Sequence, residues 1–109
     1  MMFAYLASPY SHPDPVVRVA RFDAACRVAA RLMRAGEPVF SPIAHSHPIE
    51  RHFDAIQDFE FWMKQDLPLL AAAGRLIVLR LDGWDLSRGV ARELEFARER
   101  GIPTEFIDP

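Results

Sequence analysis

Glu93 is the residue that its neighbours explain least. On a helix advancing roughly 100° per residue, Val90, Leu94 and Ala97 form an apolar stripe while Arg92, Glu95 and Glu99 point away from it. Glu93 falls about 60° from Val90 on the same count, between that stripe and Phe96. A carboxylate so placed in the second turn of a helix is half desolvated, and the positive helix N-terminus offsets part of the cost of its charge. Such a group can serve as nucleophile or general base. The plain alternative is a surface pair with Arg88, Arg92 or Arg100. Upstream, Ser87 and Gly89 complete the pattern S-x-G-x-x-x-E. At a helix start, free backbone amides and a serine hydroxyl can hold an anion, and Gly89 permits close approach of a ligand to the backbone. Ser87 also fits a simple N-cap.

Other chemistry-bearing residues are weaker. His45 and His47 form H-x-H, with His12, His52, Asp54 and Asp58 nearby in the chain. That pair can supply two zinc ligands, but no third stands at a recognisable spacing. A metal-dependent hydrolase using His45 and His47 is therefore only an alternative, and the expectation is no metal and no cofactor. The single cysteine, Cys26, can form neither an internal disulfide nor a zinc cluster. Flanked by Ala25 and Ala29, it reads as a small core residue. A formal net charge of −2 gives no case for a nucleic-acid polymer. Arg18, Arg21, Arg27, Arg31 and Arg34 read as a solvated helix face. The opening "MMFAYLASPY" lacks a basic leader region and is too short and polar for a membrane span, so cytoplasmic residence is expected.

The elements that must position these groups follow from periodicity. "MFAYLA" (2–7), "PVFSP" (38–42), "RLIVLRL" (75–81) and "TEFID" (104–108) read as strands, the last at an edge. Helical spacing runs from about Pro15 to Ala35 with Gly36 as its stop, over 58–74, and from Ser87 to Arg100 before "GIP". In the second of these helices Phe59, Trp62 and Met63 face inward, and Pro68 is expected to kink or restart it near Asp66. "IAHSHPIERHFDAIQ" has no clean period and reads as a long loop with at most a short helix. The 109 residues make one domain. Its expected fold is a small doubly wound, flavodoxin-like α/β sheet of four to five parallel strands with helices on both faces. Such sheets bind ligands beyond the carboxyl ends of their strands. Three segments converge there: Ser8, Pro9, Ser11 and His12 after the first strand, Ser41, His45 and His47 after the second, and Asp85, Ser87, Arg88 and Gly89 after the third.

Three stretches, "YLASPY", "QDLPLLAAAGRLIVLRLDG" and "SRGVARELEFA", together resemble the nucleoside 2-deoxyribosyltransferase superfamily, which includes the deoxynucleoside 5′-monophosphate N-glycosidases. The similarity runs in order along nearly the whole chain and is greatest to a branch of short bacterial proteins. It implies that Glu93 is a nucleophile forming a glycosyl intermediate and that Tyr5 orients it. It also implies that Asp66 meets the base or leaving group. Ser87 with Arg88 and Gly89 departs from the transferase pattern and is more similar to the monophosphate glycosidases, whose serine and glycine hold a 5′-phosphate. Asp85 stands two positions out of register for the aspartate missing from that pattern. The resemblance thus implies cleavage or transfer at an N-glycosidic bond, with Asp66 or Asp85 serving the departing base. The small-molecule partner would be a nucleoside or nucleotide. A nucleotide-binding module that has lost turnover is the alternative which the departure near Asp85 keeps open. Adjacent Phe61 and Trp62 point roughly 100° apart, more than one helix face buries. This surplus, with the resemblance, implies a homodimer or higher homo-oligomer.

Overall fold

Each pair of consecutive strands is separated by a helix, the kind of connection that parallel pairing requires and hairpins do not. The computed structural model describes residues 2–109. Strands β1 (Ala4–Ala7), β2 (Val39–Phe40), β3 (Arg75–Leu79) and β4 (Thr104–Ile107) pair in parallel in the order β2-β1-β3-β4. Between them run α1 (Pro15–Arg34), α2 (Pro42–Glu50), α3 (Phe59–Ala72) and α4 (Arg88–Arg100).

The step from β1 to β2 goes one way along the sheet, and the steps to β3 and β4 go the other. With a fixed right-handed crossover, this reversal places α1 on one face and α3 and α4 on the opposite face. The cores agree. Val28 and Ala29 of α1 pack on Ala4, Leu6, Ile77 and Leu79. Leu70, Val90 and Ala97 pack on Tyr5, Ala7, Leu76 and Val78. Alternation along β1 therefore aims Tyr5 toward α4. The reversal falls between β1 and β3, where ligands bind in sheets of this kind.

Several local expectations change. The expected loop at 43–57 begins as α2, with Pro42 in its first turn and the Ser41 hydroxyl accepting from the Ala44 amide at 3.1 Å. Its apolar period is missing because it packs on α1 and β1 while turning polar residues into a cavity. β2 spans only two residues. Pro68 does not break α3. Pro68 and Lys64, the residue whose carbonyl a proline at 68 cannot reach, are both exposed, so water can satisfy that carbonyl. Met63, Asp66 and Leu70 hold the helix on the sheet across this point. After β3, "DGWD" continues into a single 3-10 turn, Trp84–Leu86.

The arginines of α1 are not uniformly solvated. Arg21 donates to the Ser11 carbonyl at 3.0 Å and to the Asp82 carbonyl at 3.2 Å, tying together the segments that follow β1 and β3. Cys26 is half-buried rather than fully within the core, and burial pushes its thiol up. Among the described residues no helix is long and apolar enough to cross a membrane.

Candidate active site

A cavity of about 730 Å³ opens at the carboxyl rim of the sheet, where the segments after β1, β2 and β3 meet. Glu93 reaches it from the second turn of α4, whose N-terminus is capped by the Ser87 hydroxyl accepting from the Val90 amide at 3.2 Å. The side chain is 4% exposed, and the fully buried Tyr5 hydroxyl donates to its Oε2 through a short hydrogen bond. Asp66 enters the same cavity from the middle of α3 and is 8% exposed.

Burial dominates the electrostatics. It lifts Glu93 to about 8; the Tyr5 hydrogen bond works against the rise, and the Asp66 charge adds to it. Burial alone lifts Asp66 to about 6. The Tyr5 phenol is pushed well above its ordinary value by burial and by the two carboxylates, so it stays a donor. Near neutral pH the carboxyl pair therefore holds one proton, which belongs to the pair rather than to either member. One protonated and one ionised carboxyl in a single cavity have the chemistry to act as a general acid beside a nucleophile or base.

The cavity gathers many of the expected binding residues and leaves others out. Ser8, Ser11, His12, His47, Ser87, Arg88 and Gly89 line it. Asp85 does not: it lies exposed in the 3-10 turn, leaving Asp66 as the second carboxylate near Glu93. Pro9 is buried away from the cavity, and Ser41 is spent capping α2. α2 turns His45 and His47 roughly 200° apart. His45 lies exposed beside Phe40, whereas His47 lines the cavity. The metal reading loses its geometry there. Among the described residues no three His, Cys, Asp or Glu side chains stand close enough to hold a metal ion.

Sequence reasoning missed Tyr10, Arg18 and Glu50, which also line the cavity. A helix drawn over 42–50 puts Glu50 one turn beyond His47 on the same face, the signal by which it could have been found. Phe59, Trp62 and Met63 do face inward, but they form the apolar cavity wall. The Arg88 guanidinium lies 3.9 Å over the Phe59 ring, with no ion pair among the described residues.

The chain belongs to the family described as a domain of unknown function (DUF1937), which matches residues 3–107. A solved structure of a 2-deoxyribosyltransferase from the psychrotolerant bacterium Bacillus psychrosaccharolyticus is similar to it at 25% identity with a TM-score of 0.68. The match covers 97% of this chain and 72% of that one. The four-stranded parallel α/β fold thus resembles that of a deoxyribosyltransferase. No curated protein matches the chain.

Proposed function

We propose that the protein breaks the N-glycosidic bond of a nucleoside or its 5′-monophosphate through a glycosyl intermediate on Glu93. The observation that carries this reading is Glu93 lining a ligand-sized cavity while the buried Tyr5 hydroxyl holds it from behind, with Asp66 as a second carboxyl. A Glu93 oxygen attacks the anomeric carbon, the carbon–nitrogen bond breaks toward the base, and Asp66 supplies the proton that the base nitrogen needs. Water or a second base then displaces Glu93, returning its proton to Asp66. Tyr5 holds the attacking carboxylate in place. Ser87, Arg88 and Gly89 receive an anionic group such as a 5′-phosphate. Gly89 precedes Glu93 by about 6 Å along the helix axis, a span that a pentose can bridge. A homodimer is part of the same proposal, since Ile56 (83% exposed) and Leu86 (88% exposed) leave the cavity's rim apolar and uncovered.

The test is base release from deoxynucleosides and their 5′-monophosphates, with and without an acceptor base. Glu93→Ala should lower turnover by about a thousandfold or more. Undiminished release by the folded variant would overturn the assignment. One observation favours a second reading, a binding module without turnover: burial lifts Glu93 to about 8, above Asp66 at about 6, so the proton shared by the pair at neutral pH is weighted toward the nucleophile. Nucleotide-dependent thermal stabilisation with no base released from any substrate would support that reading.

A further inference from the structure

The α1–α2 side of the cavity carries a hydrogen-bonded cluster that the bond-breaking step does not use. His47 is fixed by two aromatic neighbours. Its ring stacks on Phe22 with centroids 4.1 Å apart and planes 24° apart. Its Nδ1 lies 2.5 Å from the Tyr10 hydroxyl, and the Tyr10 ring meets it edge-on at 5.6 Å. The same hydroxyl donates to Glu50 Oε2 at 3.1 Å.

The protons in this cluster can be counted. Tyr10 has one to give. Burial and the Glu50 charge push its phenol up to about 12, against a smaller opposite effect of Arg18, so that proton stays. Once it goes to the Glu50 carboxylate, the bond between His47 and the phenol oxygen must be donated by Nδ1. In its neutral form the imidazole then offers a lone pair at Nε2. Glu50 retains Oε1, for which the described residues supply no donor. This side of the cavity is therefore rich in acceptors.

An anionic group is poorly served beside Glu50. The nearby Arg18 also lines this side, its Nη1 held by the backbone carbonyls of His12 and Pro13 while its other N–H groups stay open to a neutral acceptor. Arg88 and the α4 amides offer the better anion site. A base edge with N–H donors has the opposite preference. The Ser8 hydroxyl, 6% exposed and without a partner among the described residues, lines the same cavity and can donate to a ring nitrogen.

We propose that Glu50, held by Tyr10 and His47, is a specificity-determining residue that selects a base bearing an exocyclic amine over its oxo counterpart. An oxo group in place of the amine would set a carbonyl oxygen against a carboxylate and take away the exocyclic donor that Glu50 accepts from. This inference rests on the glycosidic reading for its ligand class, and the experiment separates the two.

The probes are matched pairs: the 5′-monophosphates of deoxyadenosine and deoxyinosine, and of deoxycytidine and deoxyuridine. kcat/KM is read on the wild type, and calorimetric binding is read on Glu93→Ala. The amino member should be favoured at least tenfold in at least one pair, and Glu50→Gln should reduce that ratio below threefold. Turnover without discrimination, or a ratio unchanged in Glu50→Gln, overturns the selection by Glu50 and leaves the reaction intact. Binding discrimination that Glu50→Gln erases, with no turnover by the wild type, upholds the selection and removes the reaction. Absence of binding by either member of both pairs overturns the selection. Should Glu50→Gln fail to fold, Tyr10→Phe keeps the carboxylate but frees it from its tether; an undiminished ratio in that variant also overturns the proposal.

Discussion

Glu93 is costly to keep as a carboxylate, and the cost has a sign. Its value rises from an ordinary 4.5 to about 8 in the folded protein. The folded state thus holds a proton that the unfolded state has lost across that interval, and stability falls as pH rises through it. Asp66 contributes in the same direction up to about 6. Glu93→Gln, which can still accept from Tyr5, should therefore stabilise the protein by about 2–4 kcal/mol at pH 8. The gain should shrink toward nothing near pH 4.5. Melting curves at pH 5 and pH 8 check this; equal shifts at both would mean that the carboxylate is not desolvated. Turnover should follow a bell with limbs near 6 and 8, the values of the pair. Tyr5→Phe removes a hydrogen bond to the charged form, so Glu93 should rise further and the profile of kcat/KM should move to higher pH. A profile unmoved by Tyr5→Phe would show that the phenol does not act through Glu93.

At the scale of elements, the start of α4 and the bend before it carry separable roles. A Cβ added at Gly89 would meet Met63 and Ser87 at 3.8 and 3.9 Å, ordinary contact distances. Gly89→Ala should therefore fold normally and gain up to about 1 kcal/mol from helix propensity. It should nonetheless weaken nucleotide binding by narrowing the cavity beside the α4 amides; unchanged affinity in calorimetry would remove Gly89 from the site. Gly83 behaves differently. It has φ +88°, and a Cβ there would stand 2.8 Å from the Arg21 guanidinium that ties the rim together. Gly83→Ala should cost about 1–2 kcal/mol, read as a lowered Tm.

The legibility of these elements in the sequence varied for physical reasons. α4 was readable because a clean apolar stripe makes one misplaced carboxylate visible. The three rim segments were readable because strand ends in a doubly wound sheet converge. α2 was hidden because it buries little apolar surface, and Pro68 was misleading because burial on both sides of it holds α3 together. The meeting of Tyr10, His47 and Glu50 depends on two separate segments, so no local pattern announces it.

At the scale of the whole molecule, a single copy leaves two apolar side chains uncovered at the rim of its cavity. Ile56 and Leu86 stand at the cavity mouth, while Phe61 and Trp62 are already partly spent on each other and on Phe53. The surplus of aromatics on α3 is thus partly an internal cluster, and Ile56 and Leu86 become the better candidates for a subunit contact. Sedimentation at micromolar concentration should give a dimer mass, and Leu86→Asp should shift it toward monomer. A monomer for the unaltered protein would restrict the site to one chain.

The most direct measurement is intact-mass and peptide analysis after incubation with a 2′-fluorinated nucleoside 5′-monophosphate, whose fluorine slows release of a glycosyl group from its ester. A gain of one glycosyl phosphate, mapped to Glu93 and absent in Glu93→Gln, is the predicted result. Base release with no adduct, or an adduct mapped to another side chain, would contradict the account.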